Sequence, residues 1–158
     1  MGRPSSALKR KRLATRRFAE LVASSVPGVY RVYLFGSVAK GTADEGSDVD
    51  VLVVLAGPEG GYHGELSQAA LAAYEETGES VEYVTMGVER FLAGRETNPF
   101  VHEVEEYGEL LYANGGALAE RAKALLRLAD EFARGAEEAR KVGHLRIAVD
   151  AYYNATEL

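Results

Sequence analysis

Cysteine and tryptophan are absent from this 158-residue chain, and only four prolines and two methionines occur. Without cysteine there is no disulfide framework and no thiolate zinc or iron–sulfur site, a composition that fits a reducing compartment. No apolar run approaches the roughly 18 to 20 residues that a bilayer span requires, and the N-terminus carries no signal-peptide apolar region. These absences predict a cytoplasmic protein with no membrane partner. What remains is sufficient for a core, since 47% of the residues are apolar. The length predicts one domain of about 100 to 150 residues with a small appendage.

Charge is unevenly placed. The net charge is −6, yet residues 1 to 17 hold seven bases (Arg3, Lys9, Arg10, Lys11, Arg12, Arg16, Arg17) and no acid, leaving −13 on the rest. A basic head on an acidic body could contact RNA or hold an acidic partner. However, Leu8, Ala14, Phe18, Leu21 and Val22 recur at helical spacing, which predicts that the bases form the wet side of an amphipathic first helix.

Ser5 or Ser6 is placed to cap that helix, and Pro27-Gly28 stops it after about Val26. A β-rich run, Val29 to Phe35, ends at Gly36-Ser37, and a second strand, Asp48 to Ala56, is continuously apolar at its centre. A helix over about 64–77, a strand over 80–86, a short helix over 88–93, a helix from Asn98-Pro99 to about Tyr107 and an edge strand at 110–112 follow. This order predicts an α/β (α+β) fold, a small mixed sheet flanked by helices. Asn114-Gly115-Gly116 divides it, as a domain over 1–114, from a helical hairpin over 115–158 striped by Leu118, Leu125, Leu128 and Phe132, then by Leu145, Val149, Tyr152 and Tyr153. So short a hairpin cannot cover both of its apolar stripes. It must dock on the sheet domain, pair with another chain or be continued by further helices.

Three pieces carry chemistry. A strand ending in Gly36-Ser37 and opening a helical turn offers bare N–H groups and a hydroxyl to an anion, although Gly-Ser alone is ordinary turn chemistry. Asp48 and Asp50, two apart at the start of a strand, point to one face and can converge on a hard cation, or else stand in solvent at the loop end. Their repulsion at the head of a buried strand calls for a compensating charge or open water. Glu82, in the middle of a β-branched and aromatic run, is out of place unless its face looks onto solvent or a metal. If its strand lies beside 48–56, three carboxylates face a Gly-Ser cradle, which is apparatus for phosphoryl or nucleotidyl transfer with a pair of Mg²⁺ ions.

Gly36-Ser37, ten residues, Asp48-x-Asp50 and the later acid Glu82 together resemble the nucleotidyltransferase fold of the DNA polymerase beta superfamily. The short body is similar to its minimal branch, and Val38-Ala39-Lys40-Gly41 matches except that Lys40 stands where Arg is commoner. The resemblance implies that Gly36 and Ser37 hold the phosphates of an NTP. It implies that Asp48 and Asp50 bind two Mg²⁺ ions, and that Glu82 binds the catalytic one or helps deprotonate the acceptor. Residues 145–155 resemble an early helix of HEPN domains, but no Arg…His ribonuclease motif follows, so no RNA cleavage is expected from them. Tyr152 and Tyr153 read as packing residues rather than modified acceptors. His63 reads as a surface residue in a loop that could approach the nucleotide, and His102 as part of a solvated acidic face.

The function this implies is Mg²⁺-dependent transfer of an NMP, AMP from ATP, to an acceptor hydroxyl, a tyrosine of a HEPN toxin partner foremost. Aminoglycoside-type modification and non-catalytic masking of a HEPN partner stay open. An NTP, a HEPN protein and a second copy through the C-terminal helices are the expected partners; nucleic acid is not.

Overall fold

The first helix begins where a hydroxyl can satisfy its open end: Ser5 Oγ accepts from the Leu8 N–H at 3.1 Å, and α1 runs Ser6–Ser25. In this computed structural model, which describes residues 5–57 and 60–157, the order continues β1 Val29–Phe35, α2 Gly36–Lys40, β2 Val49–Leu55, α3 His63–Thr77 and β3 Val81–Gly87. It then runs α4 Val88–Gly94, α5 Pro99–Tyr107, β4 Glu109–Ala113, α6 Gly115–Lys141 and α7 Leu145–Glu157. Asn98 caps α5 through its side chain, with Pro99 in the first turn.

The sheet order is β3-β2-β1-β4. β1 is antiparallel to both neighbours, while β2 and β3 are parallel, with α3 as the crossover. This is the mixed, helix-flanked sheet that the element order implies. Helices α1 and α3 pack on one face, where Phe18, Val22, Val32, Leu34, Val51, Val53, Leu55 and Leu66 form the main core. Leu52 and Val54, alternating with that set along β2, are equally buried and face the other way. Tyr33 belongs to this second face, its ring 5.8 Å from that of Phe91 in α4, and Phe35 meets Phe100 of α5 at 5.2 Å. A strand buried on both faces reads as an unbroken apolar run, as 51–55 does.

Two compact units divide at Ala117 and Leu118. The second holds most of α6 and all of α7. Its Ala136 is buried, but Leu128, Ile147, Val149 and Tyr153 are largely open to solvent. The packing role expected of Val149 and Tyr153 is therefore not met within the described chain; the side chain of Tyr152 lies outside the described residues.

The wet-side reading of α1 needs one correction. Lys11 is only 1% exposed, its ammonium 2.6 Å from Glu79. It lies on the same stripe as Ala7, Ala14, Phe18 and Val22, because 7, 11, 14, 18 and 22 share a helical face. The other bases are mostly spent on acids: Arg10 on Glu45 and Glu79, Arg12 on Glu109, Arg17 on Glu76. Lys9 and Arg16 alone among the bases described in α1 keep no ion pair with a described residue.

Candidate active site

The end of β1 brings the sequence-predicted residues together. Phe35 is the register partner of Asp50 on β2, so Gly36 stands beside that carboxylate. Gly36 has φ +70°, a conformation that costs any residue with a Cβ about 1 to 2 kcal/mol. A Cβ there would also collide with the Asp50 carboxylate. Glycine is thus needed for both backbone and space. Ser37 follows in the first turn of α2; its carbonyl accepts from the Thr42 N–H at 2.9 Å, and its hydroxyl has no hydrogen-bond partner among the described residues.

Asp50 and Glu82 are Cα partners across the parallel β2–β3 pair, and such neighbours project to one face. Asp48, exposed, lies just before β2, separated from Asp50 by the fully buried Val49. Asp50 is half-buried and Glu82 exposed. Burial pushes the Asp50 carboxyl above its ordinary range, and the negative charges of Glu82 and Asp48 push it further. All three acids therefore share one electrostatic neighbourhood.

None of these three carboxylates has an ion-pair or hydrogen-bond partner among the described residues. The contrast with their surroundings is plain. Glu45, Glu76, Glu79, Glu103, Glu105 and Glu109 each hold an Arg or Lys. Acids left unpaired side by side are met by open water, as exposed Asp48 and Glu82 are, or by a counter-charge from outside the chain. As donors they suit a hard divalent cation, being oxygen only. Yet among the described residues no group of three His, Asp or Glu side chains is gathered closely enough to hold a metal ion.

Two histidines lie apart from these acids. His63 Nδ1 is 3.4 Å from the Tyr83 hydroxyl, which also meets Ser67 at 2.9 Å. Tyr83 stacks on Phe18 and so lies on the α1 face, opposite its strand neighbour Glu82. His102 is exposed and pairs with Glu106 at 3.4 Å, the solvated face expected of it. Sequence reasoning missed the tie between α2 and α5, in which Lys40 Nζ lies 2.7 Å from Glu103 and 5.9 Å from the ring centroid of Tyr107. Beside that pair is an open cleft of about 500 Å³, lined in part by Arg95, Asn98 and His102. Such contacts join residues 63 or more positions apart in sequence, and no local pattern announces them.

A helix-flanked mixed sheet with a Gly-Ser bend at the end of β1 and acids on the adjacent strands β2 and β3 places the chain among small α/β domains. The family model described as the nucleotidyltransferase domain matches residues 15–109. This stretch is more than half of the chain, and the chain belongs to that family; its enzyme class is nucleotidyltransferase. No curated protein matches the sequence significantly. Among solved structures, a candidate nucleotidyltransferase from Sulfolobus solfataricus is 24% identical, with 72% of this chain and 93% of that chain covered and a TM-score of 0.44. A chain of a toxin–antitoxin crystallised with AMP-PNP is 19% identical over 74% of this chain and 90% of that chain, at TM-score 0.46. A chain of the tri-AMPylated Shewanella oneidensis HEPN toxin in complex with MNT antitoxin is 16% identical over 77% and 91% of the two chains, at TM-score 0.42. With TM-scores this low, kinship rests on the family match.

Proposed function

We propose that the chain transfers an NMP, AMP from ATP, to an acceptor hydroxyl, and that the acceptor is a tyrosine of a HEPN-domain toxin partner. The observation that carries the chemistry is the trio Asp48, Asp50 and Glu82, without an ion pair among the described residues, amid ion-paired acids and with Asp50 beside the Gly36-Ser37 bend. Asp48 and Asp50 would hold two Mg²⁺ ions, with Glu82 contributing to one of them. Such ions, when bound, stabilise charge on the phosphates and lower the pKa of an attacking hydroxyl.

The chain's own groups do the rest. The side-chain hydroxyl of Ser37, without a hydrogen-bond partner among the described residues, donates to a phosphate oxygen, and the glycine before it lets the phosphate approach the backbone. The acceptor oxygen attacks the α-phosphorus in line and the bond to the β-phosphate oxygen breaks. Pyrophosphate leaves, and the hydroxyl proton passes to solvent or to Glu82. The HEPN partner is supported by the likeness of residues 1–114 to the minimal branch of the superfamily. Open apolar side chains on α6 and α7 (Leu126, Ile147, Val149, Tyr153) are surface on which a partner can settle.

Incubation with ATP labelled at the α or the γ phosphate and a HEPN-domain protein tests this. Label from the α position alone should enter the partner, and Asp48→Ala/Asp50→Ala should reduce it by about 10³-fold or more, the scale set by the charge stabilisation lost. Labelling that ignores the double substitution would reject the site. Neutralisation of the toxin that survives it would favour masking.

A further inference from the structure

Lys11, 1% exposed, is the most deeply buried charged side chain of the described residues. Burying an ammonium is costly unless its partners are well placed, and an apolar residue would seat α1 on the sheet more cheaply. Its partners are therefore informative. The Lys11 ammonium donates to Glu79 Oε2 at 2.6 Å and to the backbone carbonyl of Glu45 at 3.3 Å. The remaining Glu79 oxygen accepts from Arg10 Nε at 3.0 Å, and the same guanidinium reaches the Glu45 carboxylate at 2.8 Å. Three segments meet at this point: α1, the loop before β2 and the turn before β3.

The spacing gives the cluster its meaning. Glu45 stands three residues before Asp48, and Glu79 three residues before Glu82. β2 and β3 are parallel and start side by side, with the Val49 N–H donating to the Ser80 carbonyl at 3.1 Å where the strands begin. The Glu45 loop is itself stiffened by the Asp44 carboxylate, which accepts from the Gly46 N–H and the Ser47 hydroxyl. A cation bridging Glu45 and Glu79 consequently acts on both acid-bearing strands at equal distance along the chain.

We propose that Lys11 is a positioning residue: its buried ammonium clamps the onset of β2 to the onset of β3 and so sets the spacing of Asp48 and Asp50 against Glu82. Its consequence for the acids rests on the nucleotidyl-transfer reading, whereas the clamp stands on geometry alone. Repulsion among the three carboxylates pushes these onsets apart, and the clamp opposes it from the side away from the substrate. Residues supporting a metal site in this way change its affinity by about 10 to 100-fold when altered.

The test uses Lys11→Met/Glu79→Leu, which replaces the buried pair by apolar groups, an exchange that is often neutral for stability. Glu79→Gln provides the converse, because its amide oxygen still accepts from Lys11 while the charge is lost. Amide hydrogen exchange on the full chain should show Val49 losing about 10-fold of its protection relative to Val53 in the double variant and keeping it in Glu79→Gln. Mn²⁺ binding, followed by electron paramagnetic resonance without nucleotide, should weaken about 10 to 100-fold in the double variant only. Should the double variant fail to fold, Lys11→Met alone supplies the same comparison. Unchanged Val49 exchange in a folded variant overturns the clamp. If wild type and Asp48→Ala/Asp50→Ala bind Mn²⁺ alike, the nucleotidyl-transfer reading falls, and the exchange result still decides the clamp.

Discussion

A methyl group at position 36 would strike the Asp50 carboxylate, while one at position 41 would meet nothing within 4 Å, although the two glycines have similar φ angles of +70° and +73°. The pair separates backbone strain from a functional collision. Gly41→Ala should cost about 1 to 2 kcal/mol, the strain of a left-handed residue, and leave nucleotide transfer near wild type. Gly36→Ala should cost at least as much and also displace Asp50, lowering transfer by about 100-fold. Thermal unfolding and α-label transfer on the two variants check this; equal activities would show that Gly36 serves the turn alone. Asp50 has its own tension, since burial and the charges of Glu82 and Asp48 all disfavour its ionised form. A chain under selection for stability alone would not keep it there.

Among the elements, α1 does more than cover the sheet. Burial raises the Glu79 carboxyl, but hydrogen bonds from Lys11 and Arg10 outweigh burial and hold it below the usual Glu range. Its ionised form therefore stabilises the fold at neutral pH. That contribution is complete above the unfolded value of about 4.3 and is lost as pH falls through the lower folded one. Glu79→Gln keeps an acceptor for Lys11 but loses the charge, and should destabilise the chain at pH 7 without releasing that contact. The two proteins should converge in chemical denaturation as pH drops below about 4, and a gap that persists in acid would contradict the assignment. The sequence shows most elements because they are punctuated: Ser5, Pro27-Gly28 and Asn98-Pro99 each bound a helix within a residue or so of where it lies. Asp48 and Asp50 are legible through their spacing. The standing of Glu82 depended on β3 lying beside β2, a fact of topology that the register then supplied. Lys11 was misread because a charged residue on an apolar stripe is normally an intrusion of the wet face, and its partner lies 68 positions away. α2 is only five residues long, too short for any periodicity to mark its end.

For the molecule as a whole, charge is sorted by use. Of the bases described in α1, Arg10, Lys11, Arg12 and Arg17 are paired with acids of α3, the loops and β4, so much of the basic charge visible in sequence is held within the fold. The buried residues of the main core lie between Ala14 and Val81, within the first compact unit, while the second unit keeps much of its apolar surface open. On the proposed reading, the acids that carry the chemistry fall in the first unit and the open apolar surface in the second. Asp48, Asp50 and Glu82 in the first unit have no cation beside them among the described residues, and the account depends on that point being filled by divalent metal. An anomalous difference map from crystals soaked in Mn²⁺ and an unreactive ATP analogue tests it most directly. The account predicts density within about 2.0 to 2.2 Å of the Asp48 and Asp50 carboxylate oxygens, with the triphosphate against Ser37 and Glu82 facing the metal. Nucleotide bound elsewhere, or no metal peak between the carboxylates, would contradict it.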